Sequence, residues 1–207
     1  MRLLLATGEN WDKEVEEVPQ PWIVFGLYLV PIVVCGLLPE YLSLTHWGAL
    51  KDARVQRGLT SPWNAFSHEA FCGVNSVILV FVAAWFLILT GSGVLCRINY
   101  RTSFTVITFS LAPLFLLRML NAIPALDPWF VFGIGLFLSL AVLKRAIQRF
   151  IQPSPTQAFG LYISAALMII ALSATVRFIN LPVNYSYDRY IDDLRFTSPV
   201  KFDFQRP

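Results

Sequence analysis

Two histidines and one carboxylate are the residues of this chain whose chemistry is easiest to name. His46 and His68 are the only histidines, they stand at the two ends of one connection, and Glu69 follows the second. Imidazole nitrogens and a carboxylate can hold a transition metal, and a histidine can also ligate a pigment such as a tetrapyrrole. Lone histidines at an interface are far commoner than such sites. A metal- or pigment-binding subunit, acting through His46 or His68, is therefore one alternative reading.

Arg118 is a second candidate, because it stands at the end of an otherwise uncharged block. A charge at membrane depth usually marks an ion or proton pathway. Snorkelling of the guanidinium toward the headgroups is the simpler expectation for Arg118. The sequence contains no HExxH, GxSxG, GxGxxG or P-loop motif, and no paired carboxylates stand inside the apolar blocks. We therefore expect no catalytic residue, no metal, no cofactor and no enzymatic activity.

Long apolar blocks carry these residues. The 207-residue chain is 56% hydrophobic and 14% charged, whereas soluble domains have about 25% charged residues. The uncharged stretch from Ala70 to Cys96 is long enough to cross a hydrocarbon core of about 30 Å. The net charge of +3 is small and no Lys/Arg cluster is typical of a nucleic-acid contact. The sequence predicts an all-α polytopic membrane protein with lipid, and no nucleic acid, around it.

Five apolar blocks predict a bundle of five transmembrane helices over residues 20–179. The predicted spans are Pro21–Leu38, Glu69–Leu95, Thr102–Leu120, Pro128–Leu143 and Gln157–Ile179. The third and fourth have short uncharged cores, so they need Arg118, Lys144 and Arg145 to reach toward the headgroups. We expect these two to form a hairpin of full spans. A re-entrant pair that never crosses is the alternative.

Residues 1–19 predict a short amphipathic segment ahead of the first span. Trp11, Val15 and Val18 recur on one face of a helix over Asn10–Val18, and its opposite face is mostly acidic. Such a helix can lie on the membrane, and a plain solvated helix is the alternative. The indole rings at the starts of the first and fourth spans are typical of an interfacial belt. The predicted membrane-interface residues are Trp11, Val15, Val18, Trp22 and Trp129.

The tail over residues 180–207 is rich in Tyr, Phe and alternating charge. A segment of this size and composition buries too little apolar surface to order itself. We therefore expect an extended strap over Asn184–Phe204 that binds a partner, because aromatic residues are enriched at protein interfaces. The predicted partner-binding residues are Tyr185, Tyr187, Tyr190, Phe196 and Phe204.

Several short motifs resemble those of the bacterial Yip1-type (Yip1 domain) family of integral membrane proteins. Ser110 and Pro113 match its S-x-x-P step, Ile123-Pro124 its IP turn, and Lys144 with Pro153 its polar loop before the last span. Trp11 with the Tyr28 and Pro31 step is similar to the family's opening. The tail beyond Ile179 is longer than the family usually carries.

The resemblance implies five spans, a cytoplasmic N-terminus, a C-terminus on the far side and no enzymatic activity. The positive charges on the two sides are nearly balanced, and the cluster of Lys144, Arg145 and Arg149 weakly favours the same orientation. The expected location is the bacterial inner membrane, with the C-terminus in the periplasm.

Three functions remain open from the sequence. The first is an accessory or scaffold subunit that binds other integral membrane proteins in a multi-subunit complex, supported by the missing catalytic motifs and the aromatic tail. The second is a transporter or channel for a small molecule, an ion or a lipid, which would need a polar cavity. The third is the metal- or pigment-binding subunit.

Overall fold

The described residues fold as a bundle of five helices. The computed structural model describes residues 19–46, 62–93, 96, 98–123 and 126–197, without the side chains of His46, Pro155 and 181–197. All regular structure in these ranges is helical. In chain order the helices are α1 (Pro21–Val24, a π-helical turn Phe25–Leu29, and Val30–His46), α2 (Pro62–Gly93), α3 (Tyr100–Leu117 with a 3-10 turn Arg118–Ala122), α4 (Pro128–Ala146 with a π-helical turn Ile147–Ile151) and α5 (Pro155–Thr197).

Each helix contains a stretch that is long and apolar enough to cross a membrane. These stretches are Pro21–Thr45, Pro62–Gly93, Tyr100–Ala122, Pro128–Ile151 and Thr156–Asn180. The predicted all-α fold with five membrane-spanning helices is confirmed. The third and fourth stretches have 23 and 24 residues, or about 35 Å at the rise of an α-helix. That length favours the hairpin of two full spans over the re-entrant pair.

Two prolines are accommodated within α1. Pro31 has no N–H to donate to the preceding turn, and its ring would crowd a carbonyl there. The turn just before it, Phe25–Leu29, is widened to a π-helix, in which Val30 N–H bonds the Phe25 carbonyl. Pro39 lies inside the continuing α-helix, which runs to His46 rather than ending near Leu38.

α3 is the central helix of the bundle. Its membrane-spanning stretch is 61% buried, against 28–39% for the other four. It packs most extensively on α4, and also on α1 and α2. The buried core around it contains Phe104, Ile107 and Leu111 of α3 together with Leu87 of α2 and Leu143 of α4.

The contact between α3 and α4 is built around Pro113. A proline disturbs the hydrogen bonds of the turn in which it lies. Here the N–H of the next residue, Leu114, donates to Ser139 Oγ of α4 at 3.2 Å. A Cβ on Gly135 would lie 3.2 Å from Leu114 Cα. The glycine therefore lets α4 approach closely enough for Ser139 to satisfy the α3 backbone.

Long-range hydrogen bonds show which helix ends lie together. Arg101 Nε, at the start of α3, donates to the Pro19 carbonyl before α1 at 3.0 Å. Ser43 Oγ, near the end of α1, donates to the Ala122 carbonyl after α3 at 3.1 Å. We call the end of the bundle where Arg101 meets Pro19 the Pro21 end, and the end where Ser43 meets Ala122 the Asn180 end. The Asn180 end holds the close of α1, the start of α2, the close of α3 and the start of α4, and α5 passes through it.

Sequence signals at two helix starts act as their chemistry predicts. Asp127 Oδ1 accepts from Trp129 N–H at 2.6 Å and Phe130 N–H at 3.3 Å, and Pro128 takes the first helical position. Ser154 before α5 donates to Gln157 Oε1 from both its backbone N–H and its hydroxyl. These residues fix where α4 and α5 enter the bundle.

The expectation of an extended tail is wrong as far as Thr197, because α5 continues through Asn180 as helix to that residue. Adding a residue to an existing helix avoids the cost of nucleating a new one. The sequence also places opposite charges at helical spacing, with Arg189 four residues before Asp193 and Asp192 three before Arg195. Residues 198–207, with Phe204, lie outside the described residues.

Candidate functional site

Arg118 is the centre of a charged cluster at the Asn180 end. Its Nε donates to Glu40 Oε2 of α1 at 2.7 Å, and its Nη2 donates to Glu69 Oε2 of α2 at 3.1 Å. The Glu69 side chain is only 6% exposed and the Arg118 side chain 19%. A carboxylate this buried needs a charged or hydrogen-bonding partner. The guanidinium therefore ties three helices together. We call Glu40, His68, Glu69, Cys72 and Arg118 the Arg118 cluster.

This geometry corrects two expectations. Arg118 does not snorkel toward the headgroups, because two glutamates hold its guanidinium inside the bundle. Paired carboxylates do occur within the apolar helices, since Glu40 and Glu69 both lie in membrane-spanning stretches. The sequence gives no sign of the pair, because the two residues are on different helices. Lys144 and Arg145 are exposed on α4, as snorkelling side chains would be.

A glycine on α1 lets Arg118 reach Glu40. A Cβ on Gly36 would overlap the Phe115 carbonyl oxygen of α3. Gly36 and Glu40 stand four residues apart and therefore share one face of α1. The close approach of the two backbones at Gly36 brings Arg118 against that face, within hydrogen-bond distance of the carboxylate.

Within the Arg118 cluster, His68 lies between the Glu69 carboxylate and the Cys72 thiol. Its Nδ1 lies 3.1 Å from Glu69 Oε1, and its Nε2 lies 3.8 Å from Cys72 Sγ. A thiol, an imidazole and a carboxylate in this order is the arrangement that activates a nucleophile. Cys72 is only 1% exposed and does not line the cavity described below. The three side chains follow one face of α2, with Glu69 and Cys72 buried and His68 half-buried.

The structure supports no metal centre within its described part. No group of three or more His, Cys, Asp or Glu side chains there is placed to hold a metal ion. Both ring nitrogens of His68 already have partners. The side chain of His46 lies outside the described residues, and the predicted metal or pigment site at His46 lies outside them with it.

A cavity of about 70 Å³ with a mixed polar and apolar lining lies beside the Arg118 cluster. α2, α3, α4 and α5 all contribute to its walls, which include Arg118, Asn121, Ser173, Arg177 and Asn180. We call it the Arg177 cavity. One of its lining residues, Asn180 of α5, accepts a hydrogen bond of 2.8 Å at Oδ1 from Asn75 Nδ2 of α2.

Arg177 is held against aromatic rings. Its Cζ lies 5.1 Å from the centroid of the Trp129 ring and 5.9 Å from that of Phe132. Such cation–π contacts stabilise a guanidinium that has left water. No carboxylate within the described part of the chain forms an ion pair with Arg177. The charge of Arg177 is therefore half-buried beside a cavity, without a direct counter-charge among the described residues.

Three of the residues that line the Arg177 cavity each carry a buried polar atom that has no hydrogen-bond partner among the described residues. These atoms are Asn121 Oδ1, Ser173 Oγ and Arg177 Nε. Buried polar atoms nearly always have partners, in the protein or in bound molecules. Three such atoms at one cavity indicate a place that is filled by a polar group.

The predicted interface and partner residues are placed only in part. Trp22, at the Pro21 end, is 77% exposed, and Trp129, at the Asn180 end, is 49% exposed and in contact with Arg177. The predictions for Trp11, Val15 and Val18 lie outside the described residues. Four of the predicted partner-binding residues lie on the backbone of α5, and their side chains lie outside the described part of the chain. These residues are Tyr185, Tyr187, Tyr190 and Phe196.

Comparison of the chain with protein-family models, with curated proteins and with solved structures found no match. The resemblance to the Yip1-type family stays a prediction.

Proposed function

We propose that this five-helix membrane protein is a non-enzymatic accessory or scaffold subunit that binds other integral membrane proteins. The single observation that carries the proposal is that α2 and α5 both continue beyond the Arg118 cluster. α2 begins at Pro62, ahead of Glu69, and α5 continues from Asn180 to Thr197. These stretches add about 10 Å and about 25 Å of helix at the Asn180 end.

The extension of α2 has exposed aromatic side chains. Trp63 is 72% exposed and Phe66 is 55% exposed, and their rings stack with centroids 5.9 Å apart. Large aromatic residues are over-represented where protein interfaces bury most of their energy. The pair forms a rigid apolar patch on the part of α2 that lies past the charged cluster.

The extension of α5 is poorly suited to stand alone. Its sequence, from Leu181 to Thr197, is rich in Tyr, Asp and β-branched residues and contains Pro182. A helix of that length and composition is marginal in water. A partner protein would supply the missing contacts, and Tyr185, Tyr187 and Tyr190 are the anchors we expect it to cover.

The Arg118 cluster fits a subunit better than an enzyme. Its guanidinium is engaged by two carboxylates where Arg118 lines the Arg177 cavity, and its thiol is buried away from that cavity. Its effect is to hold α1, α2 and α3 in one arrangement. A fixed arrangement of helices is what a binding surface on α2 and α5 requires.

The handling of a small molecule or a lipid is a second candidate, favoured by the Arg177 cavity. About 70 Å³ is room for a headgroup-sized moiety rather than a passage through the bundle. The cavity therefore favours binding over transport.

The subunit proposal is tested by the size of the assembly in its native membrane. We expect the wild-type chain to migrate as a discrete complex on blue-native gels. Trp63→Ala with Phe66→Ala should release the chain from that complex, while Trp22→Ala, an equally exposed indole at the opposite end, should leave it intact. A complex of unchanged size and amount in the double variant would refute the role of the α2 patch.

A further inference from the structure

The Arg177 cavity contains a combination of groups that the subunit proposal does not use. Arg177 Nε and the Ser173 hydroxyl can donate, and Asn121 Oδ1 can accept. All three atoms are buried and without partners among the described residues, and the guanidinium lacks a direct counter-ion there. A ligand with a negative charge, two acceptor oxygens and one donor would satisfy all three atoms and also compensate the guanidinium.

The size and the place of the cavity narrow the ligand further. A volume of about 70 Å³ holds roughly five water-sized groups. A phosphate has five heavy atoms, so the cavity takes one phosphate, and the other atoms of a larger ligand lie mostly outside it. Pro128 at the start of α4 and Asn180 at the close of the α5 span both line the cavity. The cavity therefore lies at the level where lipid headgroups meet the apolar part of the bundle.

We infer that the Arg177 cavity binds the phosphate of a glycerol phosphate group, with phosphate oxygens on Arg177 and Ser173 and a glycerol hydroxyl donating to Asn121. An anionic lipid such as phosphatidylglycerol and free glycerol 3-phosphate both carry this chemistry. A phosphate here makes charge-assisted hydrogen bonds with a guanidinium already oriented by Trp129 and Phe132. The cation–π contacts hold the guanidinium in place without neutralising its charge.

The test uses the purified full-length protein in a neutral detergent, with native mass spectrometry as the readout. The probes are short-chain phosphatidylglycerol, short-chain phosphatidylcholine and glycerol 3-phosphate. We expect phosphatidylglycerol to bind at least about tenfold more tightly than phosphatidylcholine. Arg177→Gln should weaken that binding by about tenfold or more, the loss expected for a hydrogen bond to a charged group. Arg145→Gln removes an exposed cation at the other end and should change it less than about twofold.

The two sources of the phosphate give different results. Binding of phosphatidylglycerol alone, dependent on Arg177, identifies the lipid as the source. Binding of glycerol 3-phosphate alone, with the same dependence, identifies a free metabolite and equally supports the site. If neither probe binds, or if Arg177→Gln leaves binding unchanged, the cavity holds water and the inference is wrong.

A second pair of variants keeps the test decisive if Arg177→Gln does not fold. Ser173→Ala removes one donor with little change in volume, and we expect a loss of about threefold or more in affinity. Thr175→Ala, an exposed hydroxyl two residues away on the same helix, should have no effect. Equal affinities in the two variants would overturn the inference. The inference is independent of the subunit proposal. If the chain binds phosphate as expected but forms no complex with other membrane proteins, only the subunit proposal is refuted.

Discussion

Arg118 and Glu40 are 78 residues apart in sequence, and their side chains meet at 2.7 Å from Nε to Oε2. Glu69 approaches the same guanidinium from α2 at 3.1 Å. One cation therefore compensates two carboxylates from two other helices. Together with the hydrogen bond from Ser43 to the Ala122 carbonyl, this junction fixes how α1, α2 and α3 lie relative to one another.

Loss of the Arg118 guanidinium should be strongly destabilising. Arg118→Met leaves Glu40 and Glu69 half-buried or buried without a cation, and we expect a loss of about 3–5 kcal/mol in the free energy of unfolding. Titration with a denaturing detergent measures this free energy of unfolding. Glu40→Gln with Glu69→Gln in the Met background should restore much of the loss, since no buried charge then remains. Failure of this rescue would mean that the packing of Arg118, rather than its charge, matters.

Gly36 should not tolerate a methyl group. Gly36→Ala places Cβ against the Phe115 carbonyl oxygen, a backbone atom that cannot rotate away, so α1 and α3 must separate. We expect a loss of about 1–3 kcal/mol. Gly133→Ala on α4 is the matched control, because nothing lies within 4 Å of its Cβ position. It should be neutral or slightly stabilising, as alanine is the better helix former. Similar losses in the two variants would disprove the close approach at Gly36.

The start of α4 should depend on the Asp127 side chain. Asp127→Ala removes the acceptor of the Trp129 and Phe130 amides, and we expect a loss of about 1 kcal/mol. Amide hydrogen exchange at these two residues should rise. Asn99→Ala is the control, because Asn99 caps α3 without a side-chain hydrogen bond. An equal rise in exchange at the start of α3 would show that the effect is not due to capping.

The two termini should lie on opposite sides of the membrane, because the chain has five spans. Reporter fusions at Lys13 and at Lys201 should report different compartments. Both fusions in one compartment would mean that an even number of helices cross, so that one of the five does not; a re-entrant pair of α3 and α4 would leave three spans and still separate the termini. The same experiment, done in cells, decides whether the N-terminus is cytoplasmic.

The sequence predicts the helices well and their contacts poorly. Apolar length alone locates all five spans, and local chemistry places Pro128 at the start of α4. The prediction ends α1 near Leu38, since Pro39 is a usual helix terminator, but the helix continues to His46. Apolar pattern cannot detect that continuation, because tertiary contacts such as that of Ser43 with Ala122 stabilise it.

The candidate site could not be predicted for a similar reason. Its charged residues, Glu40, Glu69 and Arg118, come from three helices, and each stands near a predicted span end, where an exposed charge is the normal expectation. The Arg177 cavity depends on how α4 and α5 pack against α3, which no spacing along the chain reveals. Only a small residue such as Gly36, next to a charged face, hints at a close helix contact.

The mass of the assembly extracted from native membranes tests the proposed function most directly. Membrane patches taken up into polymer nanodiscs and purified through a tag on this chain keep their neighbours, and native mass spectrometry then reports which chains are present and in what ratio. The subunit account predicts one complex in which this chain occurs with other membrane proteins at a fixed stoichiometry, and its loss when Asn184–Pro207 is deleted. A single copy of the chain with lipid alone, before and after the deletion, would contradict it.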